Sequence, residues 1–271
     1  MTMGTWVAIL KSTYCILFLQ RRSILYENRE KILLALFIVL FAILLLAAGG
    51  FVWMYFNGLS GIMPGGEPEE GQVRVACVGD SITYGHGVGN WPKNNYPAVL
   101  SVLLGEDYHV GNFGLHGRAL QSDSDQPYTA TERYEKSLEY DCDILVFMMG
   151  SNDSKPENWK GADRFEAELR KLLNSYIDQN DGLKLYLCTP ATAFFTDGKE
   201  GTCTNFDIQP EVVGEIADIV RETAEEYDCG LIDIHALTGE HPEWFEKDGV
   251  HPDKNGARAI AQKVSEEIAA E

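Results

Sequence analysis

The feature that most constrains this chain is Ile32–Phe56, ILLALFIVLFAILLLAAGGFVWMYF, 25 residues without a charge. As a helix rising about 1.5 Å per residue it would measure roughly 37 Å, more than the ~30 Å hydrocarbon core of a bilayer. The apolar part of a cleaved leader is usually about 7–15 residues, and here apolar residues continue past Ala47-Ala48-Gly49. The run therefore reads as an uncleaved transmembrane anchor, with Trp53 and Tyr55 at the far interface. A domain folded in water must be built from the residues on its C-terminal side.

Charge sets the expected direction of the anchor. Arg21, Arg22, Arg29 and Lys31 precede it, whereas Gly61–Gly71 carries only acidic charges. Basic flanks stay in the cytoplasm, so the C-terminal side is sent across. Met3–Leu19 is also apolar, interrupted by Lys11. It fits either a second, poorer span or a helix lying in the interface, and both leave residues 20–31 inside. The expected segments are 1–31 (cytoplasmic and juxtamembrane), 32–56 (anchor), 57–71 (linker, rich in Gly, Pro and Glu from Gly61) and a domain over 72–271. The resulting placement is a single-pass membrane protein with its domain outside the cytoplasm.

The first 60 residues hold five basic and two acidic side chains, a net of +3, so the remainder of this −19 chain carries −22. Such a field repels phosphate backbones and excludes nucleic acid as an expected partner. Six cysteines, Cys15, Cys77, Cys142, Cys188, Cys203 and Cys229, form no C-x-x-C pair and no zinc-site spacing. A Cys188–Cys203 bridge and buried free thiols both fit these positions.

From Val73 onward short apolar runs alternate with longer amphipathic segments. Strands are expected at Val73–Val78, His109–Phe113, Ile144–Met149, Leu183–Cys188 and Leu231–Ile234. Helices are expected near Pro97–Leu104, Ala130–Tyr140, Ala162–Gln179, Pro210–Tyr227 and Lys254–Ala270. This alternation predicts an α/β fold with a parallel sheet covered on both faces. In such sheets the working residues gather beyond the carboxyl ends of the strands.

Polar clusters stand where that rule would put them. Gly79-Asp80-Ser81-Ile82-Thr83 follows the first strand, Asn112-Phe113-Gly114-Leu115-His116-Gly117 the second and Gly150-Ser151-Asn152-Asp153 the third; Asp248-Gly249-Val250-His251-Pro252 precedes the last helix. A serine hydroxyl needs a base to become nucleophilic, and an imidazole base needs a partner that fixes its tautomer. His251 is the candidate base, and Asp248 could reach its Nδ1 across one turn, leaving Nε2 to face Ser81. Taken singly, Ser81 also fits a helix N-cap, Asn152-Asp153 a polar turn and Gly114 a plain strand-end glycine. Four blocks in one order favour the catalytic reading.

GDSIT, NFG, GSND and DGVH, in this order over about 200 residues, resemble the motif blocks of SGNH (GDSL) hydrolases. The surrounding ITYGHGVGNWPKNNYPAVL, NDSKPENW, YLCTP and DGVHPDKNGA resemble the branch containing sialate and other carbohydrate O-acetylesterases. The resemblance implies a flavodoxin-like three-layer α/β/α fold with a five-stranded parallel sheet, and a Ser81, His251, Asp248 triad. It also implies an oxyanion hole made of the Ser81 and Gly114 N–H groups and the Asn152 side-chain amide. The expected activity is hydrolysis of a short acyl ester, acetyl foremost, on a carbohydrate, with no metal or organic cofactor. Acyl transfer to a cell-envelope glycan, and a non-catalytic carbohydrate-binding protein on the same fold, are the alternatives.

Other features carry less. Gly85-His86-Gly87-Val88-Gly89 lacks the G-x-G-x-x-G spacing of a dinucleotide loop. Asn152-Asp153-Ser154 matches a glycosylation sequon but coincides with the expected oxyanion hole. His86, His109, His116, His235 and His241 show no metal-ligand spacing. Trp91, Tyr96 and Trp159 fit a sugar-binding face or ordinary packing equally well, and Met148-Met149 reads as sheet core. Loops 85–97, 115–128 and 191–209 are expected to set substrate choice.

Overall fold

Val- and Leu-rich runs buried on both faces build the sheet that organises this molecule. The computed structural model describes residue 29 and residues 31–50, 67–195 and 206–270. The chain divides into two units, Met1–Tyr55 and Phe56–Glu271. Within the first, Lys31–Gly50 forms helix α1, 20 residues long, with none of its apolar surface buried against protein. At 1.5 Å per residue it measures about 30 Å, enough to cross a bilayer. The second apolar segment Met3–Leu19, the interfacial Trp53 and Tyr55, and Cys15 and Cys203 lie outside the described residues.

In the second unit five strands, β1 (Val73–Gly79), β2 (Tyr108–Gly114), β3 (Ile144–Met148), β4 (Lys184–Cys188) and β5 (Gly230–Ile232), form one sheet in the order β2-β1-β3-β4-β5. Every pairing is parallel. The remaining helices are α2 (Ser81–Tyr84), α3 (Trp91–Asn94), α4 (Tyr96–Leu104), α5 (Glu132–Glu139), α6 (Ala162–Ile177), α7 (Pro210–Glu226), α8 (Ile234–Gly239) and α9 (Lys254–Ala269).

Alternation along the strands sends side chains into two cores. Val75 and Cys77 of β1 pack with Val146 of β3, Leu100 of α4 and Ile260 and Val264 of α9. Ala76 and Val78 point the other way, with Phe147 of β3, Leu169 and Leu172 of α6 and Ile216 and Val220 of α7. The result is a three-layer α/β/α fold, as the sequence predicts. Register then aligns the site: Gly79 stands beside Gly114 on one side and Met148 on the other, so β1, β2 and β3 end together.

The differences from expectation lie at element ends. β5 stops at Ile232 because the Asp233 carboxylate accepts the Ala236 N–H at 3.0 Å and caps α8, which turns Ile234 into a helical residue. The helix expected from Ala130 begins at Glu132, where the Thr131 hydroxyl accepts the Tyr134 N–H. Cys77, Cys142, Cys188 and Cys229 are free thiols.

Candidate active site

The turn leaving β1 is made by Asp80, whose Oδ1 accepts the Ile82 N–H at 2.9 Å and caps α2. Ser81 is the first residue of that helix and is 8% exposed. Asp80 is buried, and burial raises its carboxyl to about 6 against hydrogen bonds from Ile82 and Ser151 and the charge of His251. The helix ends at Gly85 in the left-handed conformation, φ 97°, and the next N–H, that of His86, returns to the Ser81 carbonyl at 2.9 Å.

Asp248 and His251 sit in a tight turn just before α9. The turn is closed by Glu246 N–H to the His251 carbonyl at 2.8 Å and Asp253 N–H to the Trp244 carbonyl at 2.6 Å. Asp248 Oδ1 accepts the N–H groups of Val250 and His251 at 2.8 and 2.9 Å, while Oδ2 lies 2.8 Å from His251 Nδ1. Burial pushes the Asp248 carboxyl up, but the His251 ring and those two N–H groups outweigh it and hold it at about 2. With Nδ1–H donated to Asp248, Nε2 is left as an acceptor, and it lies 2.9 Å from Ser81 Oγ. The structure thus brings together three residues that the chain separates by 170 positions.

The expected oxyanion donors are placed unevenly. Asn152 follows β3, and its Nδ2 donates to the Arg118 carbonyl at 3.1 Å. Next to it the buried Asp153 carboxylate accepts the Leu120 and Gln121 N–H groups, each at 2.8 Å, and so ties the loop after β2 to the end of β3. Gly114 N–H is committed to Asn112 Oδ1 at 2.9 Å. Its missing side chain serves α2: a Cβ at position 114 would stand 2.1 Å from Tyr84 N and 2.6 Å from the Thr83 carbonyl carbon. The glycine is required by helix packing. Further along the loop, Gly117 lies at φ 68°, and its N–H donates to no protein acceptor among the described residues.

Rings surround His251. His86 lies 4.3 Å from His251 between ring centroids, Phe206 lies 5.2 Å from it, and His116 stands 5.1 Å from His86 and 4.0 Å from Tyr84. Burial lowers both neighbouring imidazoles, His116 to about 3, so they stay neutral beside His251 at physiological pH. Sequence spacing did not single out His86 or Phe206; the glycines flanking His86 are the one hint, since they permit the turn that carries it back. Of the aromatics weighed for a sugar face, Tyr96 is 1% exposed and belongs to the core. Trp159 packs on Phe165. Trp91 is half-buried, stacked on Tyr84 at 4.9 Å, with its indole N–H on the Tyr84 carbonyl. The His109 and His241 rings bond elsewhere, to Tyr140 and Glu243, and the backbone N–H of His235 donates to the Thr189 hydroxyl.

Comparison with known proteins is consistent across sequence and fold. The sequence profile described as the GDSL-like lipase/acylhydrolase family matches residues 77–259. An acetylxylan esterase of Xylanibacter ruminicola is 33% identical over 219 residues, which cover 74% of this chain and 44% of that protein. The chain therefore spans less than half the length of this curated relative. Two carbohydrate acetylesterase structures from Sinorhizobium meliloti superpose with TM-scores of 0.60 and 0.58 at 17% and 24% identity, each over 73% of this chain and 99% and 98% of theirs. At such identity the likeness is one of fold.

Proposed function

This chain belongs to the GDSL-like lipase/acylhydrolase family, and on that premise we propose that it hydrolyses short acyl esters, acetyl foremost, carried by carbohydrates outside the cytoplasmic membrane. One observation carries the chemistry: a nearly buried Ser81 Oγ 2.9 Å from His251 Nε2, with the opposite ring nitrogen 2.8 Å from a carboxylate held ionised. As the ester carbonyl is attacked by Ser81, His251 takes the hydroxyl proton and Asp248 stabilises the imidazolium. The tetrahedral oxyanion is received by the Ser81 N–H and the Asn152 amide, with the Gly117 N–H as third donor in place of the Gly114 N–H, which is already bonded. Collapse returns the proton to the leaving alcohol, and water, activated by the same imidazole, releases the acid.

The carbohydrate assignment is supported by the acetylxylan esterase relative, whose named substrate is an acetylated glycan. The outside placement is supported by α1, apolar and long enough to cross a membrane, and by the basic residues that precede it. The test is acetate release from acetylated xylo-oligosaccharides and from p-nitrophenyl acetate by the full chain in detergent. Turnover by wild type and none by Ser81→Ala is expected. Equal inactivity of the two toward every short-chain ester would overturn the proposal.

A further inference from the structure

The turn after α2 does more than end a helix. Gly85 at φ 97° lets the chain double back, and the His86 N–H is pinned to the Ser81 carbonyl at 2.9 Å. Position 87 then lies against the base, since a Cβ there would stand 3.6 Å from the His251 Cβ. This path delivers a half-buried imidazole to the mouth of the triad, where one donor atom each from His86, Asp248 and His251 lie within 4.8 Å of one another.

We propose that His86, His251 and Asp248 form a binding site for a divalent transition-metal ion, zinc being the best match, and that the ion switches off the proposed esterase activity, on which this inhibitory role rests. The donor set is two imidazoles and a carboxylate, the mixture zinc accepts with a fourth position left open. Magnesium and calcium prefer all-oxygen ligands and fit it poorly. Donors about 2.0–2.1 Å from one tetrahedral zinc ion stand about 3.4 Å apart, so donors now within 4.8 Å of one another need to draw together by about 1.4 Å or less to close the site. The net charge of −22 over the rest of the chain concentrates cations near the domain.

Inhibition follows from which nitrogen of His251 the ion takes. Asp248 Oδ2 lies 2.8 Å from Nδ1, whereas Nε2 faces Ser81 on the other side of the ring, so an ion shared with Asp248 binds Nδ1. There it takes the place of the proton between ring and carboxylate, and the single proton of the neutral ring moves to Nε2, which no longer accepts from Ser81. The general base is lost while nucleophile and fold remain.

The experiment is a zinc chloride titration of p-nitrophenyl acetate turnover by the full chain in detergent, in a non-chelating buffer. Wild type is expected to lose activity and regain it with EDTA. His86→Gln is expected to keep its metal-free rate and to need about tenfold more zinc or more, as loss of one ligand demands. Equal zinc sensitivity of wild type and His86→Gln would overturn the proposal, as would an insensitive wild type. Calorimetry on Ser81→Ala separates this site from the esterase proposal, because it needs no turnover. One zinc per chain in Ser81→Ala, lost when His86→Gln is added, supports the site even if no ester is ever cleaved; no binding overturns it even if wild type is a competent esterase.

Discussion

His251 is tied to Asp248 twice, by its ring through Nδ1 to Oδ2 at 2.8 Å and by its own backbone N–H to Oδ1 at 2.9 Å. The carboxylate therefore fixes both where His251, the proposed base, sits and which way its ring faces. Asp248→Asn leaves an amide that cannot accept on both sides, so the ring loses its tautomer control. Turnover of p-nitrophenyl acetate is expected to fall about 10⁴-fold, with KM little changed. A loss of less than tenfold would show that the carboxylate is not needed for the base.

Asn152 is already oriented, its amide on the Arg118 carbonyl and its neighbour Asp153 gripping two N–H groups of the same loop. A donor held before the substrate arrives costs no reorganisation when charge develops. Asn152→Ala is expected to lower kcat by about 10²–10³-fold, equivalent to about 2.7–4 kcal/mol. A raised KM at unchanged kcat would move this residue from the transition state to substrate binding.

Gly114→Ala tests the packing role. The added methyl would meet backbone atoms of Thr83 and Tyr84, which have no rotamer with which to move aside. Overpacking of this kind costs about 1–3 kcal/mol, read as a lower urea midpoint. Reduced activity at unchanged stability would instead return Gly114 to a catalytic role.

Asp80 gives a pH dependence of known sign. Its folded carboxyl is raised from 3.8 to about 6 by burial. Between those values the folded chain binds more protons than the unfolded one, so this group's contribution is fully present below about 3.8 and is lost as pH rises through about 6. Asp80→Asn keeps an acceptor for the Ile82 N–H without the buried charge. Its stability relative to wild type is expected to be unchanged near pH 4 and to rise by up to about 3 kcal/mol by pH 7, at about 1.36 kcal/mol per pH unit. Urea unfolding at both pH values checks this; a difference that does not vary with pH would show that Asp80 does not titrate in this window.

The sheet and the positions of the four motif blocks were legible because parallel α/β architecture puts strand ends together, and the strands are marked by short apolar runs such as Ile144–Met148. What the sequence concealed depends on backbone detail. Whether Gly114 N–H is free turns on the Asn112 side chain two residues earlier. The arrival of His86 at His251 requires the left-handed turn at Gly85, which no spacing rule encodes. Ile234 reads as the end of an apolar strand, yet the Asp233 cap makes it helical.

Asp248 and His251 ride on the turn that leads into α9, whereas Ser81 is fixed to the end of a central strand. Undocking of the last helix would separate His251, the proposed proton acceptor, from Ser81, the proposed nucleophile, while the sheet stayed intact. On the proposed mechanism, enzyme activity reports C-terminal docking: on heating, turnover should fail before the far-ultraviolet dichroism of the domain collapses.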